Sequence, residues 1–561
     1  MSGLPSGRLF LLALAGAVCG AVTTGCADRV RARSPGSAAA TSATPATSGA
    51  PAEGAPREAL TWSEYGKEAF DRAKRENKLV LLDGAAEWCH WCHVMEATSY
   101  HDPRVRKLLD ESFVTIKVDV DARPDLEERY GDWGWPATIL FSPDAQEIAK
   151  YKGYIAPDDL VRLLEDAVRA SRESQRTATR GAPREVSRAR LSTDAIAYAA
   201  RDTEARLDSY WDDAEGGWGR MQKAPIGGNN AWLLQRARAG DAAARKDVEL
   251  TLHKQAKIID PVWGGIYQYS AASDWDHPHF EKLATFQAPA IENYAEAFTL
   301  TGDAFYKERA LLVRRYVREH LTDKSGGFET TQDADLNAHD RARTFMSGHD
   351  FYAKSEAERR ALGEPRVDTH VYARENGLLI AAHVSLHEAT GDTSALEAAL
   401  AAANAVYATH ATASGAVAHD AEPRAKVLFL ADNAAFGLAC VRLYAVTRDA
   451  THLERARKIA AFIESELAAP EARGLYASTK DPDAAGVFAT RRLPFEHEIV
   501  ALRFFARLGE HDPAWASSHA CFVARVMSSV TTPEDIHAQG RWLGDYLLAE
   551  SETRAIRSRC P

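Results

Sequence analysis

Two hydrophobic periods divide the chain. Lys78-Leu79-Val80-Leu81-Leu82-Asp83 is a short apolar run bounded by Gly84, and Phe113 to Val120 alternates apolar and polar residues. Both read as strands. Val94 to Glu111 between them reads as one helix. Gly134-Trp135-Pro136 precedes a third strand, Ala137 to Phe141, and Gln146 to Gly153 reads as its hairpin arm. Asp158 to Ser171 closes this part as an amphipathic helix with Pro157 at its start. After a polar connection over 172–187, helical periodicity takes over. It recurs over Leu191–Trp211, Ala242–Ile259, Lys282–Thr301, Phe305–Leu321, Ala373–Thr390, Ala395–His410, Leu428–Thr447, His452–Leu467, Phe495–Leu508 and Ala514–Ser528.

Tight turns at Thr301-Gly302-Asp303, Thr390-Gly391-Asp392 and Thr447-Arg448-Asp449 pair these helices. Gly-aromatic segments follow the pairs: Gly216-Gly217-Trp218, Gly264-Gly265-Ile266-Tyr267, Gly326-Gly327-Phe328 and Gly474-Leu475-Tyr476. A repeated helix–turn–helix–loop unit predicts a closed ring of helical hairpins, with an open solenoid as the alternative. The expected fold is an α/β thioredoxin-like domain over 58–172 and an all-α ring of hairpins over 186–560. Aromatic loops gathered at one end of a ring would line a funnel, and aromatic faces beside acids suit carbohydrate.

The chemistry concentrates in Cys89-His90-Trp91-Cys92-His93, between the first strand and a helix. The pattern admits a redox dithiol, a static disulfide, a metal site built from two thiolates and two imidazoles, and covalent haem attachment. The strand–Cys-x-x-Cys–helix–strand–Pro–strand order favours the dithiol. A helix N-terminus stabilises a thiolate. Cys89 is therefore expected at the exposed end as nucleophile and Cys92 one turn in as the resolving thiol. His90 would tune the thiolate, and Pro136, the best candidate for a cis bond, would orient an extended substrate. Trp88 and Trp135 would shape the groove. No cofactor or resident metal is expected.

The run Trp88-Cys89-His90-Trp91-Cys92-His93-Val94-Met95-Glu96, followed by Tyr100-His101-Asp102-Pro103, resembles the spermatogenesis-associated protein 20 family. It is similar, less closely, to the periplasmic modules of thiol:disulfide interchange proteins. Pro278-His279-Phe280-Glu281-Lys282, Gln332-Asp333-Ala334-Asp335 and Glu375-Asn376-Gly377-Leu378 extend the first resemblance into the helical region. It implies a thioredoxin-like domain of the DUF255 type joined to an (α/α)6 toroid like that of six-hairpin glycosidases and sugar epimerases. His279, Glu281, Asp333, Asp335 and Asn376 become candidate substrate-binding residues there. The chain departs from the family at Glu375, where the family has Trp, and at Phe286-Gln287, where it has a Tyr-Asp pair. Lys223-Ala224-Pro225 matches only in part.

Composition adds compartment and partners. The chain has 561 residues, a net charge of −11 and 45% hydrophobic residues. These values fit more than one globular domain and show no nucleic-acid patch. Leu9 to Val22 is apolar, and Thr23-Thr24-Gly25-Cys26 follows. This reads as a lipoprotein-type signal over 1–26 with Cys26 lipidated; an ordinary cleaved signal or an uncleaved anchor is the alternative. Residues 27–57, rich in Ala, Ser, Thr, Pro and Gly, read as a disordered tether. The expected location is therefore the bacterial cell envelope, membrane-anchored on the periplasmic side. Expected partners are a thiol or disulfide protein or small molecule, with carbohydrate as a toroid ligand. Cys440 and Cys521 fall in apolar helical runs and read as buried thiols, with Cys560 left over. Two function classes follow: a membrane-tethered thiol–disulfide oxidoreductase, and a carbohydrate-active enzyme with an accessory thioredoxin-like domain. A binding protein without turnover is a third.

Overall fold

The computed structural model describes residues 60–131, 134–174, 190–340, 342–421, 426–469 and 474–561. The expected signal, Cys26 and the tether lie outside the described residues. Among the described residues no helix is long and apolar enough to cross a membrane.

The first part is a four-stranded sheet flanked by helices. In chain order it runs α1 (Lys67–Glu76), β1 (Leu79–Ala85), α2 (His90–Ala97), α3 (Pro103–Ser112), β2 (Phe113–Asp119), α4 (Pro124–Tyr130), β3 (Ala137–Phe141), β4 (Glu147–Lys152) and α5 (Pro157–Ser174). The sheet order is β2-β1-β3-β4, with β1 parallel to β2 and antiparallel to β3. Every residue of β1 is buried. The single helix expected over Val94–Glu111 is in fact two. Asp102 caps the second through the Arg104 and Val105 N–H groups, and Pro103 occupies its first turn, so the chain stops and restarts there.

The second part is a ring. Its helices are α6 (Thr193–Ser209), α7 (Gly227–Arg238), α8 (Ala242–Gln255), α9 (Ala284–Thr301), α10 (Ala304–His320), the short α11 (Gly348–Tyr352) and α12 (Glu356–Leu362), α13 (Ala373–Thr390), α14 (Thr393–His410), α15 (Leu430–Thr447), α16 (Ala450–Phe462), α17 (Phe495–His511), α18 (Pro513–Ser518), α19 (Ala520–Val530), α20 (Pro533–Ala538) and α21 (Gly544–Arg557). Six inner helices pack in sequence, α7 on α9, α9 on α13, α13 on α15, α15 on α17 and α17 on α21, and α21 returns to α7. The outer helices α6, α8, α10, α14, α16 and α19 back them. The ring is closed, which excludes the open solenoid. Two inner helices, α7 and α21, lie outside the helices that the apolar period predicts. The first opens Gly-Gly-Asn-Asn and the second carries five acidic or basic residues, and both features mask a helical period.

One device repeats around the ring. The fourth residue of an inner helix clamps the backbone of the glycine-containing loop before it. Asn376 Oδ1 accepts from Phe328 N at 2.8 Å, and its amide donates to Phe328 O at 2.9 Å. Asn433 does the same to Val417, and Gln287 to Ile266. Close packing needs small residues beside these clamps: a Cβ on Gly377 would lie 2.5 Å from the Ala435 carbonyl carbon.

The cysteine assignment also changes. Cys521 and Cys560 form a disulfide, so Cys521 is not a buried free thiol. It ties the chain's last residues to α19. Cys440 is free and buried.

Candidate functional site

Cys89 and Cys92 form a disulfide at the N-terminus of α2. Cys89 is the helix N-cap, and its Sγ accepts from Cys92 N at 3.1 Å. The Trp135–Pro136 peptide is cis, and Trp135 packs against the disulfide cluster. A Cβ on Gly84 would lie 2.8 Å from the Trp135 ring, so β1 needs glycine there.

The expected exposure of Cys89 is corrected: it is only 4% exposed and Cys92 7%. The toroid supplies the cover. Leu283 and Phe286, at the start of α9, join Trp88, Val120 and the two sulfurs in one apolar cluster. Phe286, in the Phe286-Gln287 pair that departs from the family pattern, packs against the cluster that holds the disulfide.

The seam carries matched polar pairs. His90 Nδ1 donates to Asp335 Oδ2 at 2.5 Å. That bond is the main reason the His90 pKa is raised. Asp335 uses its other oxygen to accept Gly348 N at 2.8 Å. Asp333 Oδ1 holds Asp335 N at 2.9 Å, while its Oδ2 faces His339 at 3.2 Å and His93 at 3.7 Å. Arg374 pairs with Glu127 at 2.6 Å and Arg366 with Glu87 at 2.8 Å. His419 links the parts most deeply. It donates from Nδ1 to Asp432 Oδ1 at 3.0 Å and from Nε2 to Asp121 O at 2.8 Å. The Asp121 side chain in turn accepts from Trp88 Nε1 at 2.6 Å.

A cavity of about 1320 Å³ opens beside the disulfide, inside the ring. Trp88, Cys89, His90 and Trp135 line it from one side, with His279 and Glu281 from the toroid. His279 stacks on Tyr269 at 4.2 Å, and burial lowers its pKa to about 4. Burial raises Glu281 to about 7, and its Oε2 has no hydrogen-bond partner among the described residues. Glu375 also lines the cavity and is raised by burial.

The sequence candidates therefore separate. Trp88, Cys89, His90, Trp135, His279 and Glu281 converge on the cavity. Asp333 and Asp335 do not line it; they shape a loop and receive the histidines of α2. Asn376 is corrected from ligand contact to loop clamp, because both its amide atoms are saturated by backbone. Lys282 of the same signature run is fully buried between Asp260 and Gly264 O, each 2.8 Å away. Sequence reasoning missed Asp83, Asp121, His339 and His419. Asp83 was legible as a carboxylate inside an apolar strand; it is buried, raised to about 6, and bonded by Tyr100 OH at 3.0 Å. Nothing local marks His339 or His419.

Residues 54–177 match the family described as Thioredox_DsbH, protein of unknown function, DUF255. The chain is 36% identical over 101 residues to thioredoxin H7 of Arabidopsis thaliana, covering 72% of that protein and 18% of this chain. Through this domain the chain belongs to the thioredoxin family. It is 31% identical over 312 residues to human spermatogenesis-associated protein 20. That match takes in 49% of this chain and spans 39% of the human protein's length. Among solved structures, D-mannose isomerase is 12% identical with a TM-score of 0.49, over 65% of this chain and 98% of that one.

Proposed function

We propose that the protein is a thiol–disulfide oxidoreductase whose substrate reaches Cys89 through the toroid cavity. The observation that carries this reading is the placement of Cys89: a Cys-x-x-Cys at a helix N-terminus that lines the ring's interior cavity rather than the outer surface. A substrate thiolate attacks Cys89 Sγ, the Cys89–Cys92 bond breaks, and Cys92 leaves as a thiolate. The second substrate thiolate then attacks the substrate sulfur of the mixed disulfide, and Cys89 leaves. The substrate dithiol loses two electrons and the protein disulfide gains them; the reverse sequence reduces a disulfide. Protonated His90, held by Asp335, and the α2 N-terminus both stabilise a Cys89 thiolate. Because both sulfurs are nearly covered, the substrate class is a small thiol or an extended segment rather than a folded surface. A second disulfide at Cys521–Cys560 fits an oxidising, extracytoplasmic setting, and with lipid on Cys26 the enzyme would work tethered to a membrane.

The test is exchange with a small disulfide, followed by alkylation and mass spectrometry. Wild type cycles between oxidised and reduced forms, Cys89→Ser is inert, and Cys92→Ser accumulates the mixed disulfide on Cys89. Equal inertness of wild type and Cys89→Ser sinks the proposal.

A carbohydrate site in the same cavity is the second reading, favoured by Glu281. A carboxyl poised near neutrality can give a proton to a leaving oxygen. Calorimetry with mono- and disaccharides decides it: sugar-dependent heat should vanish in Glu281→Gln, and no heat from wild type refutes the reading.

A further inference from the structure

His93 follows Cys92 in the first turn of α2 and points across the seam. Its Nε2 donates to Glu87 O at 3.0 Å, so in the neutral ring Nδ1 carries a lone pair. Nδ1 is buried and has no hydrogen-bond partner among the described residues. Asp333 Oδ2 lies 3.7 Å from it, on a side chain 1% exposed. Asp333 Oδ2 accepts from His339, but the His93 lone pair is buried with no donor or cation on it among the described residues, which costs free energy. His339 brings Nε2 to 3.2 Å from the same carboxylate oxygen, with its ring 4.4 Å from that of His93. All the ligand atoms of the three residues lie within 4.8 Å of one another.

We propose that His93 Nδ1, Asp333 Oδ2 and His339 Nε2 form a binding site for a divalent transition-metal cation of the zinc class at the seam between α2 and the toroid. Two imidazoles and one carboxylate suit such ions better than calcium or magnesium, which take oxygen sets. The surroundings are already arranged for it. The Nε2–H bond to Glu87 O fixes the His93 tautomer that leaves Nδ1 free, and the Asp335 N–H holds the other oxygen of Asp333. His339 now shares its Nε2–H between Glu87 O, at 2.9 Å, and Asp333; on binding it exchanges that proton for the ion. Three protein ligands leave a coordination position for water or a ligand atom. One ligand comes from the dithiol's own helix and two from the loop that holds His90, so the ion would pin α2 to the toroid.

The experiment uses the full chain with Cys89–Cys92 oxidised, so that neither thiol can ligate, after chelator treatment and dialysis. Zn²⁺ is titrated by calorimetry and Co²⁺ by visible absorption. The expected result is one equivalent of tight binding and a cobalt spectrum with imidazole ligation. His339→Gln and Asp333→Asn should each weaken binding at least about 100-fold, the upper end of what loss of an outer-shell partner costs. His349→Gln, at a side chain 85% exposed, should leave it unchanged. His339 lies on a partly exposed loop, so its variant is expected to fold and decides the matter if Asp333→Asn does not. Absence of stoichiometric uptake, or uptake that survives His339→Gln, overturns the proposal.

Discussion

His419 gives the sharpest test of how the two parts are joined. It is 8% exposed and donates from both ring nitrogens, to Asp432 and to the Asp121 carbonyl. Only the imidazolium can donate twice. The Asp432 carboxylate overcomes the desolvation penalty and raises the pKa to about 9, against an unfolded value of about 6.5. A raised folded pKa stabilises the native state fully below about 6.5, and that stabilisation is lost as pH rises through about 9. At about 1.4 kcal/mol for each pH unit, the total is about 3 kcal/mol. His419→Gln cannot protonate, so the wild-type advantage over it should fall by about that amount between pH 6 and pH 10. Urea unfolding followed by tryptophan fluorescence, run on both proteins across that range, measures the difference directly. A difference that is flat with pH, or grows towards pH 10, refutes the imidazolium bridge. The bridge bears on function because Asp121 also holds Trp88 beside Cys89.

Three further outcomes follow from the same geometry. Asp335→Asn removes the main cause of the raised His90 pKa, so the reduced protein's Cys89 should alkylate more slowly at pH 7, whereas Asp340→Asn, on the same loop, should not change the rate. With both cysteines under 8% exposed, small disulfides should exchange with the protein more than about tenfold faster than disulfides on folded proteins, about 1.4 kcal/mol in barrier; equal rates would mean that the toroid cover opens freely. Cys521–Cys560 closes a loop of sequence separation 39, worth up to about 4 kcal/mol by loop entropy, so Cys560→Ser should lower the thermal midpoint while leaving disulfide exchange at Cys89 intact.

Much of this was readable in one dimension. The strands and helices near Cys89 follow from local apolar period, and the Cys-x-x-Cys spacing fixes which two sulfurs meet because one helical turn spans them. The hairpin repeat announced a ring, since each unit exposes an apolar face that only neighbours can bury. Local signals failed where a residue's partner is distant in sequence. Asn376 is a candidate ligand contact only through the family resemblance, and nothing local shows that its amide is taken by the Phe328 backbone. Asp333 and Asp335 are candidate substrate-binding residues by resemblance, and their outward oxygens face histidines 240 and 245 positions earlier. Cys521 gave no sign of Cys560, and His419 none of Asp121. The sequence by itself determined the two folds and the position of the Cys-x-x-Cys, because bonding within a turn and apolar periodicity are short-range. Only the tertiary structure decided that the toroid covers the disulfide and gives it an interior cavity, because that depends on which buried charges find each other across the seam.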